Sequence, residues 1–351
     1  MIHPSLHIEP FDLRNASQAD YVALNALNNR IRVESLPDDP PIPVEEMIQE
    51  MQHIPIFVDV YAWAVWQADR STMIGNGDVS VLRMENNQHI GQFSIQIAPE
   101  YRRQGLGRRL LALIVEQAQR EQRRLLITST NGRIPAGAAF MLRLGAQKGL
   151  EGHANQLVLA DLDPKLIQQW LAQGAKLAED FELGLWVGAL PEERLAAIAD
   201  LFNVMNTAPR DQLEVEDFQV TPERLREIER SLAARQAERW TMHITERATG
   251  KLVGFTDVFW HPNRPQLLNQ GDTGVFPEYR KRGLGRWLKA AMLEKVLRER
   301  PQVKFVRTGN ADSNAAMLKI NYELGFKPYL SHTVWQVETE QVANYLKTPA
   351  V

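Results

Sequence analysis

A fifteen-residue segment occurs twice in this chain and constrains the fold more than any other feature. The first copy, residues 97–111, is IAPEYRRQGLGRRLL, and the second, residues 275–289, is VFPEYRKRGLGRWLK. Nine of the fifteen aligned positions are identical, and Gly283 follows Gly105 by 178 residues. That spacing is about half of the 351 residues, so it predicts two similar domains and not a solenoid of short repeats.

Each copy lies where a β-rich run gives way to an amphipathic helical run, Leu106–Arg120 in the first half and Leu284–Arg298 in the second. The first backbone N–H groups of a helix lack internal partners and carry partial positive charge, so they bind anions such as phosphate. Glycines let the backbone bend and come close, and arginines add charged donors. We therefore predict two phosphate-binding loops, and two ordinary helix starts with cationic surfaces are the alternative.

The spacing of these loops fits neither a P-loop nor the GxGxxG of dinucleotide-binding folds. Written as Arg102-x-x-Gly105-x-Gly107 and Arg280-x-x-Gly283-x-Gly285, it resembles the loop of the GNAT superfamily of acyl-CoA-dependent N-acyltransferases. In that family the loop holds the pyrophosphate of coenzyme A, so the resemblance implies acetyl-CoA as the cofactor. The cofactor-binding residues that it implies are Ile97, Arg102, Arg103, Gln104, Gly105, Leu106, Gly107 and Arg108 in the first half, and Thr273, Gly274, Val275, Arg280, Lys281, Arg282, Gly283, Leu284, Gly285, Arg286, Asn310 and Asn314 in the second.

Composition limits the partners of the chain. A net charge of −3 disfavours nucleic acid as a main partner, and 44% hydrophobic residues support sizeable cores. The chain has no cysteine, which excludes disulfides, thiolate metal sites and a cysteine nucleophile, and we predict no metal site. No stretch approaches about 18 uninterrupted apolar residues, and the N-terminus lacks the apolar region of a signal peptide. We therefore expect a soluble cytoplasmic protein that uses neither nucleic acid nor membrane.

Hydrophobic periodicity predicts the same order of elements in both halves: a strand, two helices, three strands, a helix, a strand, a helix and a strand. That order resembles the GNAT fold, so we predict an α/β (α+β) fold with two tandem GNAT-like domains, each a mixed central sheet flanked by helices. The predicted limits are 1–160 for the N-terminal domain, 161–180 for a linker and 181–351 for the C-terminal domain. Strands over Asn155–Ala160 and Thr333–Val337 are predicted to close the first and second domains.

In GNAT proteins the strand ahead of the loop separates from its neighbour at a bulge, and its main chain pairs with the cofactor. The resemblance implies the same in each half of this chain. Asp272 lies on that strand in the second half, where the first half has Ser94. A carboxylate beside the cleft is the leading candidate for the catalytic base or for anchoring the acceptor, and a structural role beside the bulge is the alternative. Asp257 and Glu246 are further candidates for the base.

The resemblance also assigns roles after the later strand of the second half. It implies that Asn310 and Asn314 contact the cofactor or an ordered water, and Asn314 is alternatively a plain helix N-cap. The family often has a tyrosine acid four residues before the glycine of the closing Leu-Gly-Phe, where this chain has Asn321. Tyr322 follows, but one residue on a helix is a rotation of about 100°. The candidate catalytic residues are therefore Asp272, Asn310, Tyr322 as an acid and Asn321 as a hydrogen-bond donor.

The first half departs further from the family, because residues 130–137 replace the asparagine-rich segment and Met141 occupies the position of the acid. We therefore predict that the second half transfers an acetyl group to a primary amine of a small molecule, and that the first half is non-catalytic and retains coenzyme A binding. This division resembles the tandem GNAT proteins, a group that includes mycothiol synthase.

Three questions stay open at the level of sequence. A non-catalytic acyl-CoA-binding sensor, or an acyltransferase that uses a different acyl-CoA, is an alternative function. The loop over residues 36–46 and the acidic loop over residues 206–218 each hold several acids that would favour a cationic acceptor, and solvated loop charges are the alternative interpretation. The chain is expected to be a monomer or a homodimer.

Overall fold

The computed structural model describes residues 6–348, which form twelve strands and ten α-helices. The strands are β1 (His7–Phe11), β2 (Val58–Trp66), β3 (Met73–Leu82), β4 (Ile90–Ile97), β5 (Leu125–Asn131), β6 (Gln147–Val158), β7 (Phe181–Val187), β8 (Glu238–Glu246), β9 (Leu252–Trp260), β10 (Leu267–Val275), β11 (Phe305–Ala311) and β12 (Lys327–Glu338). The helices are α1 (Gln18–Ser35), α2 (Val44–Gln52), α3 (Leu106–Arg120), α4 (Pro135–Arg143), α5 (Pro164–Ala175), α6 (Leu195–Phe202), α7 (Pro222–Ala234), α8 (Leu284–Glu299), α9 (Ala315–Glu323) and α10 (Thr339–Lys347).

The chain divides into two compact units of mixed α/β structure, which confirms the predicted fold class. Within the described residues, unit 1 comprises residues 6–151, 210–216 and 331–348, and unit 2 comprises residues 152–209 and 217–330. The sheet of unit 1 has the strand order β1-β2-β3-β4-β5-β12, and that of unit 2 has the order β6-β11-β10-β9-β8-β7. The contacts of β4 with β5 and of β10 with β11 are parallel, and the other registered pairs within each unit are antiparallel.

The helix behind each glycine loop is anchored by its apolar face. Leu110 and Ile114 of α3 are completely buried in unit 1, and Leu288 and Val296 of α8 are completely buried in unit 2. Burying one such side chain stabilises the fold by roughly 1.5–3 kcal/mol. Because several of these residues lie on each helix, the N-terminal ends that carry the loops are fixed against their sheets.

The last strand of each unit comes from the other half of the sequence. Residues 152–158 of β6 pair with β11 in unit 2, with Thr308 opposite Asn155. Residues 332–338 of β12 pair with β5 in unit 1, with Thr130 opposite Thr333. The expectation that each half closes its own sheet was therefore wrong. An alternating pattern indicates that a strand exists, but the two halves are similar enough that it does not indicate which sheet the strand joins.

Part of the acidic loop also belongs to unit 1. Glu214 forms an ion pair with Arg124 at 2.7 Å, and Glu216 accepts a hydrogen bond from the backbone N–H of Asn87 at 2.6 Å. The backbone N–H of Gln212 donates to the carbonyl of Gly149 at 2.9 Å. Glu214 and Glu216 therefore make contacts within unit 1. They no longer support the interpretation that this loop selects a cationic acceptor.

Two negative findings concern the described residues alone. None of the helices within residues 6–348 combines the length and the apolar character that a membrane span requires. The same residues contain no group of three or more His, Asp or Glu side chains arranged to hold a metal ion.

Candidate functional site

In both units two parallel strands separate just before the glycine loop. β10 is in register with β11 only from Leu267 to Asn269, and β4 is in register with β5 only from Ile90 to Gln92. On its other side, β10 stays paired with β9 as far as Val275. After Asn269, the edge of β10 that faces β11 therefore has no registered strand beside it. The resemblance implied such an edge for the strand whose main chain pairs with the cofactor.

A β-bulge distinguishes unit 2 from unit 1. Gln270 lies opposite Val258 and Thr273 lies opposite Thr256, so Gly271 and Asp272 together face one residue, Asp257. The bulge is held by a buried polar cluster in which the hydroxyls of Thr256 and Thr273 are 2.7 Å apart and Gln270 Nε2 donates to both. A Cβ on Gly271 would lie 2.5 Å from Asp257 Oδ1, so only glycine allows this approach.

The corresponding strand of unit 1 has no bulge. β3 and β4 pair without a register shift from Gly75 opposite Ile97 to Ser80 opposite Gln92. Ser94, which aligns with Asp272, donates a hydrogen bond to Asp78 on the neighbouring strand. Burial raises the pKa of Asp78 to about 6, and the hydrogen bond from Ser94 opposes the rise. The bulge that the resemblance implied for both halves is therefore present only in unit 2.

The bulge of unit 2 brings two carboxylates together. Asp257 is 6% exposed, and no residue of the described chain forms a hydrogen bond with its Oδ1. Burial raises the pKa of Asp257 to about 7, and the nearby charge of Asp272 adds to the rise. Asp272 stays in contact with solvent, although the surrounding protein removes enough water to raise its pKa as well. Asp257 can therefore exchange a proton near neutral pH.

A buried cation limits the pKa of Asp257. Arg239 on β8 is 4% exposed, and its positive charge favours the ionised form of Asp257. Arg239 Nη2 is 3.0 Å from Glu229 Oε1 on α7, and Glu229 also pairs with Arg226. The backbone N–H of Leu190 donates to the same Glu229 oxygen at 2.7 Å. The charge of Arg239 thus acts on Asp257, while its ion pair is made with Glu229, which also binds Arg226.

The glycine loops have the backbone conformation that an anion site needs. Gly283 and Gly105 are the N-cap residues of α8 and α3, with φ of 91° and 82°, in the left-handed region that favours glycine. Lys281 and Arg103, two residues earlier, also have positive φ, 62° and 60°. Alternating conformations of this kind turn successive N–H groups toward one side. The donors of the loop thus suit a diphosphate, and Lys281 and Arg103 are exposed beside it.

Several arginines expected on the cofactor also make contacts within their own unit. Arg280 Nε donates to the carbonyl of Val275 at 2.9 Å, and its Nη2 donates to Thr207. Arg102 Nε donates likewise to the carbonyl of Ile97 at 2.9 Å. The remaining contacts of this group are Arg102 with Glu34, Arg286 with Glu323, Arg108 with the carbonyls of Tyr345, Leu346 and Thr348, and Arg282 over the ring of Tyr279. The first arginine of each motif therefore binds the last carbonyl of the strand before the loop. The backbone N–H groups of the loop are then the main donors to an anion.

The other candidates of the second half separate into buried and exposed groups. Asn321 is completely buried, and its Nδ2 donates to Asn310 Oδ1 at 2.7 Å. Tyr322 is 49% exposed, on a different side of α9. Asn314 is the N-cap of α9 and accepts from the backbone N–H of Met317 at 3.3 Å, as in the alternative interpretation. The side chains of Leu284 and Leu106 are core residues, so only their backbones are available to a ligand.

Comparison with known proteins identifies the family. A model described as "Acetyltransferase (GNAT) domain" matches residues 62–145, and a model described as "Acetyltransferase (GNAT) family" matches residues 195–326. Together they cover more than half of the chain. The chain belongs to the GNAT acetyltransferase family. None of the curated proteins compared with it matches its sequence.

Three solved GNAT structures have a similar fold. A tandem GNAT protein from the clavulanic acid biosynthesis pathway, without AcCoA, aligns with a TM-score of 0.74 at 24% identity, over 99% of this chain and 100% of its own. A GCN5-related N-acetyltransferase from Sphaerobacter thermophilus aligns with a TM-score of 0.67 at 15% identity, over 97% of each chain. A glucosamine N-acetyltransferase region of a fungal β-N-acetylglucosaminidase aligns with a TM-score of 0.66 at 13% identity, over 96% of this chain and 38% of that chain. The tandem GNAT architecture is confirmed by these similarities.

One residue near this candidate site was not named from the sequence, and one was named only as a further candidate. Asn155 was assigned to the strand that closes the first half, but it lies on β6 in unit 2, where its Nδ2 is 3.4 Å from Asn310 Oδ1. Asp257 was only a further candidate because its burial and its position opposite the bulge depend on the register of β9 with β10. An aspartate as the one charged residue in the largely apolar run from Leu252 to Trp260 was the available signal.

Proposed function

We propose that unit 2 is an acetyl-CoA-dependent N-acetyltransferase that acetylates a primary amine of a small molecule by direct transfer. One observation carries this proposal: only unit 2 combines the glycine loop and the separated strands with a bulge and two adjacent carboxylates, Asp257 and Asp272. Unit 1 keeps the loop and the separation but has an unbulged strand, with Ser94 where unit 2 has Asp272.

The residues of unit 2 supply proton transfer and orientation. An amine acceptor has a pKa near 10 if it resembles lysine, so it must lose a proton before it can attack. Asp257 is suited to take that proton, since burial brings its pKa to about 7, and Asp272 is suited to hold the ammonium group. Acetyl-CoA supplies the acetyl thioester when bound, with the loop from Lys281 to Gly285 and the free edge of β10 as its binding elements.

No strong acid accompanies this base among the proposed residues. Asn321 is buried and has no proton to transfer, and the exposed Tyr322 lies around the helix from it. A thiol has a pKa near 8.5, so a leaving thiolate needs little help from an acid. We therefore assign Asn310 and Asn321 to binding and orientation, and leave Tyr322 without a catalytic role.

We further propose that the two repeats divide the work. In this proposal the repeat at 181–351 carries catalysis, the segment 161–180 links the repeats, and the repeat at 1–160 is non-catalytic and keeps a cofactor loop. The φ of 82° at Gly105 and the separation of β4 from β5 support cofactor binding in unit 1. The absence of a bulge and the pairing of Asp78 with Ser94 argue against a second base there.

Calorimetric titration with acetyl-CoA tests the two loops separately. Gly283→Glu is expected to weaken binding to unit 2 by at least about 100-fold, because the new carboxylate would lie where phosphate oxygens bind. Gly105→Glu is expected to do the same to any site in unit 1. Two sites in the wild type, each removed by its own substitution, would make unit 1 a working cofactor domain.

Gly250→Glu is the matched control for this titration. Gly250 has φ of 70° and, like Gly283, has open space where a Cβ would be, but it lies on the turn between β8 and β9. The Gly250→Glu substitution introduces the same backbone strain and the same charge as Gly283→Glu, but away from the glycine loop. The affinity for acetyl-CoA should therefore be unchanged. A wild-type chain that does not bind acetyl-CoA would overturn the proposed function.

A panel of small primary amines, with release of the coenzyme A thiol as the signal, then separates the enzyme from the alternatives. Acetylation that is lost in Gly283→Glu and kept in Gly105→Glu would support catalysis by unit 2. Tight binding of acetyl-CoA without transfer to any amine would favour a sensor of acyl-CoA. Faster transfer from a longer acyl-CoA would identify a different acyl donor.

A further inference from the structure

Three asparagine side chains meet at the end of β11 in unit 2. Asn310 Oδ1 accepts hydrogen bonds from Asn321 Nδ2 at 2.7 Å and from Asn155 Nδ2 at 3.4 Å. Asn155 and Asn321 are completely buried, whereas Asn310 is partly exposed. Because two donors engage its oxygen, the amide of Asn310 is fixed with its Nδ2 turned away from both.

This arrangement leaves two buried acceptors without partners. Asn155 Oδ1 and Asn321 Oδ1 have no hydrogen bond to any described residue. A buried amide oxygen without a partner destabilises a fold, so a position that only had to be filled would favour an apolar side chain. Unit 2 therefore keeps two buried amide oxygens that lower its stability. The two side chains that carry them both donate to Asn310 and so fix its orientation.

Unit 1 has different residues at the same three places. Met141 occupies the position of Asn321, three residues before the leucine-glycine pair that ends the helix. Strand registers align Thr130 with Asn310 and Trp335 with Asn155. Trp335 Nε1 donates to Thr130 Oγ1 at 2.8 Å, and Met141 and Trp335 belong to the apolar core. The fold tolerates apolar residues there, so the asparagines of unit 2 are not required by packing.

The directions around Asn310 indicate where its Nδ2 is aimed. β6, which carries Asn155, lies on one side of β11, and α9, which carries Asn321, covers the face. The remaining side is the one toward β10, which left the register with β11 at Asn269. An Nδ2 group turned away from both donors can therefore donate to a ligand that occupies the opening between β10 and β11.

We infer that Asn155 and Asn321 are positioning residues that hold the Asn310 amide so that its N–H donates to a carbonyl oxygen of the acyl-CoA arm in this opening. The inference rests on the proposed function, because acyl-CoA is the ligand that it invokes. It also means that the site of unit 2 uses a residue from the first half of the sequence.

The test measures acetyl-CoA affinity by calorimetry and thermal stability on the full chain. Asn155→Leu and Asn321→Met are each expected to raise the Kd for acetyl-CoA about tenfold, the effect of one misdirected hydrogen bond. Their Tm should be unchanged or higher, because each substitution removes an unsatisfied buried oxygen. A purely structural role would instead lower the Tm. Asn310→Ala should match this loss of affinity, and combining it with Asn321→Met should add little more.

Gln156→Leu is the matched control. Gln156 neighbours Asn155 on β6, faces the other side of the strand and accepts from Arg307 Nε at 2.7 Å, so its loss should leave the Kd unchanged. A wild type that binds acetyl-CoA with variants of equal affinity would overturn the positioning role and leave the proposed function intact. A wild type that does not bind acetyl-CoA would overturn both.

Discussion

Replacing Asp257 by Asn is expected to lower kcat/KM for acetyl transfer by about 10²–10⁴, the usual contribution of a general base. An amide has nearly the same shape as the carboxyl but cannot accept the proton of an ammonium group. The measurement is thiol release with an amine found in the panel, at saturating acetyl-CoA. Because the substitution removes a buried ionisable group whose pKa is raised to about 7, the Tm at neutral pH should not fall, so lost activity would not reflect unfolding.

The pH profile gives this prediction a second readout. Activity needs the ionised form of Asp257, so kcat/KM of the wild type should rise with pH through about 7. The charge of Asp272 contributes to the raised pKa, so Asp272→Asn should lower that pKa and move the acid limb to lower pH. The matched control is Asp78→Asn, which changes a buried carboxyl of unit 1 and should leave the profile unchanged. An unshifted limb in Asp272→Asn, or full activity in Asp257→Asn, would contradict the assignment.

Replacing Lys289 by Met is expected to stabilise unit 2 by roughly 2–4 kcal/mol at pH 7, the largest single stability effect that we expect. Lys289 lies on α8 with 1% exposure, and its Nζ is 5.8 Å from the ring of Phe326. Burial lowers its pKa from 10.5 to about 7. The same position in unit 1 is Leu111, which is completely buried. An apolar side chain therefore fits this site without the desolvation of an ammonium group.

The pH dependence of this stabilisation has a definite sign. Below about pH 7 both the folded and the unfolded chain carry the proton on Lys289, and the full penalty of burying the charge applies. Between pH 7 and 10.5 the unfolded chain binds more protons than the folded chain, so wild-type stability rises with pH. The advantage of Lys289→Met should therefore shrink over that window. Denaturant midpoints at several pH values measure it, with Lys319→Met on the exposed face of α9 as the control; a constant or negative difference would contradict the prediction.

Much of the fold was predictable because local sequence determines it. The glycine loops and the helices behind them were predicted from the repeat, and α3 begins and ends at the predicted residues, Leu106 and Arg120. The first helix of the second half is less regular than hydrophobic periodicity suggests, because 3-10 turns flank α6 on both sides, and the closing helix α10 is absent from the predicted order of elements. Local patterns therefore determined element type well and element limits less well.

The parts of the site that could not be predicted depend on pairing over long distances. Asp257 moved from a further candidate to the proposed base only when the register of β9 with β10 placed it opposite a bulge. Asn155 entered the site only when β6 was found beside β11. The exchange of β6 and β12 also depends on pairing over long distances, since a local pattern indicates a strand but not its partner. Asp272 and Asn310 could be named from the sequence because the resemblance places one on the strand ahead of the glycine loop and the other after the later strand.

The two crossing strands also affect how the chain is made. Thr130 pairs with Thr333, so strand β5 of unit 1 lacks its partner β12 until a segment about two hundred residues later has been synthesised. A nascent chain whose first repeat is complete still exposes the apolar edge of β5 that β12 covers later. An exposed strand edge is a template for pairing with other chains. If the chain were cut between the repeats, the first half would keep this edge of β5 exposed. Neither repeat can therefore complete its own sheet alone, and the folding of each unit depends on the synthesis of residues from the other half of the sequence.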